Sequence, residues 1–239
     1  MKTRRFSFAN GLLLLLFAAL LAACTEYEDD YISKYCPGSC TEVSGRITTG
    51  DGSTPVTGAN LLVRWESGNV MSGTSIVRKK AYAQTDADGR YTLRFLLRDE
   101  ELESGYLSIE TALPSENYFV CLPDDTLWPD EIRRDTTFTR NFHYPQRAKL
   151  VLELTNRQAM NLGDEIRTSI DFETPDGEPV RCSSRQHWSA QGNSRQTVAA
   201  PADHLAYLTI SKTKSGLITT QTDTIYLTAE EQRVYKLTF

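Results

Sequence analysis

The stretch Arg90-Tyr91-Thr92-Leu93-Arg94-Phe95-Leu96 alternates polar and apolar residues. A period of two puts Tyr91, Leu93 and Phe95 on one face and Arg90, Thr92 and Arg94 on the other, the pattern of a strand with one buried side. Asp88-Gly89, just before it, reads as a hairpin turn in which glycine takes positive φ. Similar runs extend to both sides. Val43-Ser44-Gly45-Arg46-Ile47-Thr48 leads into the turn Gly50-Asp51-Gly52. Ala59 to Trp65, Ala81 to Thr85, Gly105 to Thr111 and Thr136 to Phe142 continue the series. After Pro145 come Ala148 to Leu154, Ile166 to Phe172, the turn Thr174-Pro175-Asp176-Gly177, His204 to Ile210, Leu217 to Leu227 and Val234 to Phe239. No long segment has helical periodicity. Short strands with regular turns predict an all-β chain of two consecutive β-sandwich domains, residues 42–144 and 145–239. The second is expected to be immunoglobulin-like, with Val234–Phe239 a strand paired inside it.

Three blocks in the first half carry a resemblance. Val43-x-Gly45-x-Ile47, Pro55-Val56-x-Gly58-Ala59-Asn60-Leu61-x-Val63 and Thr85-Asp86-x-Asp88-Gly89-x-Tyr91-x-Leu93 resemble the carboxypeptidase regulatory-like domain over residues 42–144. The resemblance implies a seven-stranded transthyretin-like sandwich and a non-catalytic module used as spacer, stabiliser or binding unit. Glu66 to Lys80 reads as a long insert against that pattern, and Leu113 to Asp135 as an irregular loop.

The N-terminus has the three parts of an export signal. Lys2, Arg4 and Arg5 are basic, Gly11 to Leu20 is apolar, and small residues follow. The apolar run is shorter than the roughly 20 residues a membrane span needs. Leu21-Ala22-Ala23-Cys24 resembles the lipobox of bacterial lipoproteins. That resemblance implies cleavage after residue 23 and acylation of Cys24, including its thiol, and two or three acyl chains anchor a protein stably. Residues 1–23 are therefore expected to be a signal peptide and 24–41 a lipidated acidic tether. Glu26, Glu28, Asp29 and Asp30 within it resemble the acidic export signal of Bacteroidota-type surface lipoproteins. Thr25 is not the Asp associated with inner-membrane retention, so the expected location is the outer membrane, exposed at the cell surface.

Losing residues 1–23, with three basic and no acidic residues, takes the chain from 239 to 216 residues and its formal net charge from −5 to −8. That balance argues against nucleic acid, whose binding rests on Lys and Arg against phosphates. The remaining cysteines, Cys36, Cys40, Cys121 and Cys182, are candidate disulfide partners in an exported chain, and four allow three pairings. Cys36 and Cys40 could close a local loop, or one of them could pin the tether to Cys121. No metal site is expected, because there is no second close cysteine pair and His143, His187 and His204 are scattered.

No cofactor or enzymatic activity is expected either. Asp86-Ala87-Asp88-Gly89 lacks the further carboxylates of a calcium loop, and no G-x-S-x-G elbow accompanies the histidines. Asp124-Asp125 and Asp130-Glu131 around Trp128 read as a solvated acidic loop. Trp65 reads as core, whereas Trp128 and Trp188 are candidate ligand platforms for stacking on sugars. Thr126, Thr136 and Thr224 sit in D-T-x triplets resembling the O-glycosylation motif of exported Bacteroidota proteins. The expected role is a non-enzymatic, lipid-anchored surface binding or adhesion protein with a glycan as candidate ligand. The alternative is an accessory subunit of an outer-membrane nutrient-uptake or fimbrial assembly, with an outer-membrane protein as partner.

Overall fold

The computed structural model describes residues 25–30, 40–69, 74–114, 116–121, 124–127, 133–175, 177, 179–182 and 185–239. Residues 1–23, Cys24, Cys36, Trp128 and Asp130-Glu131 lie outside them. The first half contains β1 (Thr25–Asp29), β2 (Cys40–Thr49), β3 (Thr54–Pro55), β4 (Asn60–Asn69), β5 (Thr74–Gln84), β6 (Arg90–Leu96) and a short helix α1 (Asp99–Glu103). It continues with β7 (Tyr106–Ala112), β8 (Asp124–Leu127), β9 (Thr137–Thr139) and β10 (Phe142–His143). One sheet runs β1-β5-β4-β7-β8. The other is built around β2, which pairs with β3, β6, β9 and β10.

The deciding stretch is β6, with Tyr91, Leu93 and Phe95 buried and Arg90, Thr92 and Arg94 exposed. Its buried face meets Val43 and Ile47 of β2 and Leu61, Val63 and Trp65 of β4 in one core. Gly45 is glycine because the chain crosses over it, and a Cβ there would lie 1.7 Å from the Arg140 carbonyl oxygen. The Tyr91 hydroxyl donates to that same oxygen at 2.6 Å. Asp86 Oδ1 accepts from the Asp88 and Arg90 backbone N–H groups at 2.9 and 2.8 Å, so this carboxylate holds its own turn.

Two segments differ from the expected loops. Glu66 to Lys80 is largely hairpin, with β4 and β5 paired out to Asn69↔Thr74, because backbone pairing continues where the side chains turn polar. Within Leu113 to Asp135, β8 adds an edge strand to β7.

The acidic stretch also departs from a solvated tether. Thr25–Asp29 runs parallel to β5, pairing Glu28 with Arg78 and Asp29 with Lys79. Opposite charge at each step explains the docking, with Arg78 Nε 2.7 Å from Glu28 and Lys79 Nζ 3.0 Å from Asp29.

The second half contains β11 (Arg147–Leu154), a 3-10 turn at Arg157–Ala159, β12 (Glu165–Glu173), β13 (Pro179–Val180) and β14 (Arg185–Ser189). β15 (Arg195–Pro201), β16 (Leu205–Lys214), β17 (Leu217–Tyr226) and β18 (Gln232–Leu237) complete it. One sheet is β15-β11-β18. In the other, β12 pairs with β13 and β14 on one side and with β16 on the other, and β16 pairs with β17. Leu150, Leu152, Ile166, Leu208 and Ile210 fill the space between. The chain is thus all-β, built as packed sheets. The C-terminal strand β18 lies parallel to β11 from Lys149↔Gln232 to Leu154↔Leu237.

The halves share a third apolar cluster, in which Phe119 of the first packs on Phe172 and Cys182 of the second. A disulfide joins Cys121 to Cys182 across the same seam, with Cα atoms 5.0 Å apart. Cys121 therefore pairs with the second half and not with the tether. Cys40 is also disulfide-bonded, and its partner lies outside the described residues. Beside the cluster, His143 Nε2 sits 2.8 Å from His204 Nε2, and His204 Nδ1 lies 2.7 Å from the Ala202 carbonyl. If that Nδ1 carries the proton, His204 Nε2 is the acceptor and His143 donates across the seam.

Strand directions fix two poles. β2 ends at the seam, since Gly52 just beyond it meets the Pro175 ring. Thr85, at the end of β5, bonds Val56 beside that same end. β1 is parallel to β5 and starts opposite Ser75. Gln84 lies nine residue steps beyond Ser75, about 30 Å of strand. The N-terminal strand therefore starts at the pole away from the second half.

Candidate functional site

The opposite pole is formed by the far ends of β12, β16 and β17. In β12, Phe172 is at the seam and Glu165 at the far end. β16 and β17 pair from Leu205↔Tyr226 near the seam to Lys214↔Leu217 at the tip. The tip turn is Ser215-Gly216, both with positive φ (50° and 81°), where glycine costs little. Next to it lies the loop at residues 161–164. Asp164, buried, accepts from the Ser215 backbone N–H and the Asn161 backbone N–H, each at 2.8 Å. Those hydrogen bonds, Ser215 first, hold the Asp164 carboxyl below its ordinary pKa.

This frame presents an apolar tip to solvent. Leu162 is 91% exposed, Leu217 70% and Ile218 66%. Exposed apolar residues gathered beside a polar surface mark interaction sites more often than isolated ones do.

The polar surface is the outer face of the same sheet. Alternation brings Arg185 and His187 of β14, Glu165, Arg167 and Ser169 of β12, Thr209, Ser211 and Thr213 of β16, and Thr220, Thr222 and Thr224 of β17 to one side. Cross-strand hydroxyls pair, Thr209 with Thr222 at 3.3 Å and Ser211 with Thr220 at 3.1 Å. A shallow depression of about 350 Å³ lies here, lined by Glu165, Arg167, Ser169, Arg185, Ser211 and Thr213 among others. Glu165 anchors its charges, with Arg167 Nε and His187 Nε2 each 3.0 Å away. Burial pushes the Glu165 carboxyl up, and these partners outweigh it and keep the pKa below its ordinary value. The depression offers hydroxyls and both signs of charge to a polar ligand. Among the described residues no group of three or more His, Cys, Asp or Glu is placed to hold a metal ion.

The residues singled out from sequence fall in different places. Trp188 is a correction, since it is 2% exposed and packed in the second core on the inner face of β14. Its neighbours His187 and Ser189 take the outer face, and a one-residue difference decides which. It has no ring face to offer a sugar. Trp65 is core, its Nε1 donating to the Ser104 carbonyl at 3.1 Å. Thr224 is exposed on the outer face, while Thr136 is half-buried and donates to the Arg134 carbonyl at 3.1 Å. Thr126 lies in β8. The exposed Leu217-Ile218 pair was missed, although it directly follows the Ser215-Gly216 turn and precedes a strand polar on both faces.

No family model matches the chain, and no curated protein is significantly similar to it. Several solved structures are similar. A streptococcal ancillary pilin shares 12% identity over 83% of this chain at a TM-score of 0.31, and this chain spans 63% of its length. A candidate cell adhesion protein from Bacteroides ovatus shares 13% over 83% of this chain and 91% of that one, at 0.25. The 3-chlorocatechol 1,2-dioxygenase of Rhodococcus opacus shares 12% over 51% of this chain and 67% of that one, at 0.30. Pilin, adhesin and enzyme score alike, so the likeness is one of β architecture and transfers no role.

Proposed function

We propose that this chain is a non-enzymatic surface binding or adhesion protein, held by lipid on Cys24 at the outer membrane and displayed outward. The polarity of the molecule carries this reading. Strand β1, which follows Cys24 directly, starts at one pole, and the apolar tip with its hydroxyl-rich sheet forms the other. The disulfide and the Phe119–Phe172 cluster join the two halves into one presenting body. A glycan or a matrix protein is the ligand class that face suits, since hydroxyl rows and paired charges bond polar groups while Leu217 and Ile218 bury apolar ones. The first sandwich serves as the spacer, as its resemblance to carboxypeptidase regulatory-like modules implies. The fimbrial alternative has less support, because β18 is already paired to β11 within its own half.

Protease shaving of intact cells, followed by glycan and matrix arrays with the extracted full chain, tests this. Shaving is expected to release tip peptides. The double change Leu217→Asp and Ile218→Asp is expected to lower array binding at least tenfold with the melting temperature unchanged. Resistance to shaving, or undiminished binding by the double variant, would overturn the reading.

A further inference from the structure

The most unusual chemistry lies in the first half, midway along β5 where β1 ends. Lys80 is 1% exposed, among the most deeply buried side chains of the molecule, although lysine is almost never fully buried. A β-bulge puts it there. The β4–β5 register passes from Val63↔Ala81 to Arg64↔Lys79, leaving Lys80 as the extra residue. Lys80 and Ala81 thus both turn inward, against the alternation of the strand.

Two carboxylates meet the buried ammonium. Lys80 Nζ is 2.5 Å from Asp30 Oδ2 and 3.0 Å from the Glu101 carboxylate. Asp30 is buried immediately after β1, and Glu101, 2% exposed, comes from α1. Arg98 Nε lies 3.2 Å from the same Asp30 oxygen. Arg78, its guanidinium 4.7 Å from the centre of the Trp65 ring, lies 3.4 Å from Glu101. One lysine with two acids is more than a structural pair needs, and burying an ion pair often gains little over a neutral replacement.

We propose that Lys80 and Asp30 condense spontaneously into an intramolecular isopeptide bond, with Glu101 as the proton shuttle. Holding Nζ 2.5 Å from Oδ2 also brings it beside the carboxyl carbon bonded to that oxygen, and reacting atoms about 3–3.5 Å apart are within attacking reach. Burial pushes the Asp30 carboxyl up in pKa, but Lys80 and Arg98 outweigh it, so the reaction starts from the ion pair.

A proton crosses from the Lys80 ammonium to Asp30, giving a neutral amine and a neutral acid. The amine lone pair attacks Cγ, forming the C–N bond and moving one C=O electron pair onto oxygen. The Arg98 guanidinium offsets that charge. Glu101 removes a proton from the nitrogen and returns it to the departing hydroxyl. The C–O bond breaks and one water leaves. Glu101 ends as it began, ionised, and keeps Arg78 and the Arg98 backbone N–H, 2.9 Å from its Oε2. The product carries one fewer buried charge pair, with no carboxylate left without a partner. It ties β1, the strand next to the anchoring cysteine, covalently to β5. A pull at the N-terminus then enters the sheet through a covalent bond instead of peeling an edge strand.

Tryptic mapping of the denatured full chain tests this. Trypsin cannot cut after an acylated lysine, so the peptide Ala81–Arg90 is expected to be missing. A branched peptide should replace it, joining the Asp30 segment to Lys80–Arg90 and lighter by one water than its parts. Glu101→Gln, nearly the same shape, is expected to release Ala81–Arg90 in at least tenfold greater amount while keeping the native circular dichroism. Asp30→Asn should still link with loss of ammonia in place of water, and Lys80→Met should never link. Full release of Ala81–Arg90 from the native chain would overturn the bond. Linkage undiminished in Glu101→Gln would overturn the role given to Glu101.

Discussion

Removing the Cys121–Cys182 disulfide is expected to produce one of the largest stability losses available to a double substitution. The bond spans 61 residues of sequence. Cross-linking such a loop lowers the entropy of the unfolded chain by an amount worth about 4 kcal/mol. For a chain of this size each kcal/mol moves the melting temperature by about 2–4 °C, giving an expected fall of about 8–16 °C. After the bond is gone, the seam still has the Phe119–Phe172 edge contact, 5.9 Å between ring centres, and the His143–His204 pair. Those contacts couple the halves more weakly than the covalent bond does, so melting of the variant is expected to broaden toward two transitions. The measurement is thermal melting, by circular dichroism, of full-length Cys121→Ala, Cys182→Ala and the double variant. If the cross-link is the cause, each single change should cost nearly as much as the double, because either one abolishes the same bond. Costs that add across the two singles would point to local packing, and a fall under about 2 °C would refute the entropic argument.

Trp188→Ala should destabilise the second half by about 3–5 kcal/mol in urea unfolding, because it empties a fully buried site. Gly45→Ala forces a methyl into the Arg140 carbonyl and should cost about 1–3 kcal/mol of overpacking, read from the same unfolding curve. The tip frame depends on ionised Asp164. Because its folded pKa is lowered, the stability it adds is present above the unfolded value of about 3.9 and is lost as pH falls through the lower folded value. Amide exchange at Ser215, taken relative to the intrinsic rate at each pH, should accordingly stay protected to pH 4 and quicken below it. In Asp164→Ala it should already be about tenfold faster at pH 7, the equivalent of one charge-assisted hydrogen bond; equal protection in the variant would show that the carboxylate does not hold the turn.

Much of the fold was legible because a strand buried on one side writes its period into the chain. Arg90–Leu96 announced β6, and the Gly45 and Gly89 positions of the three family-like blocks are where backbone crowds backbone. The docking of the acidic stretch was not legible for a physical reason: Glu28, Asp29 and Asp30 meet their partners only when Arg78, Lys79 and Lys80, fifty residues away, come alongside. Trp188 was misplaced because alternation leaves inside and outside open for a strand with polar neighbours on both sides. The apolar tip left a local trace in Leu217-Ile218, but its third member, Leu162, joins it only through Asp164.

By itself, then, the sequence determined what depends on neighbours along the chain. That covers the β content and the turns, while the division near residue 145 and an export signal ending before Cys24 stand as expectations drawn from it. Tertiary structure decided what depends on distant pairing. It joined Cys121 to Cys182 across the two halves, set β18 parallel to β11, and turned Lys80 inward through one bulged residue to meet Asp30 and Glu101. Those contacts are energetic choices among many partners of equal local propensity, and only closing the sheets removes the alternatives.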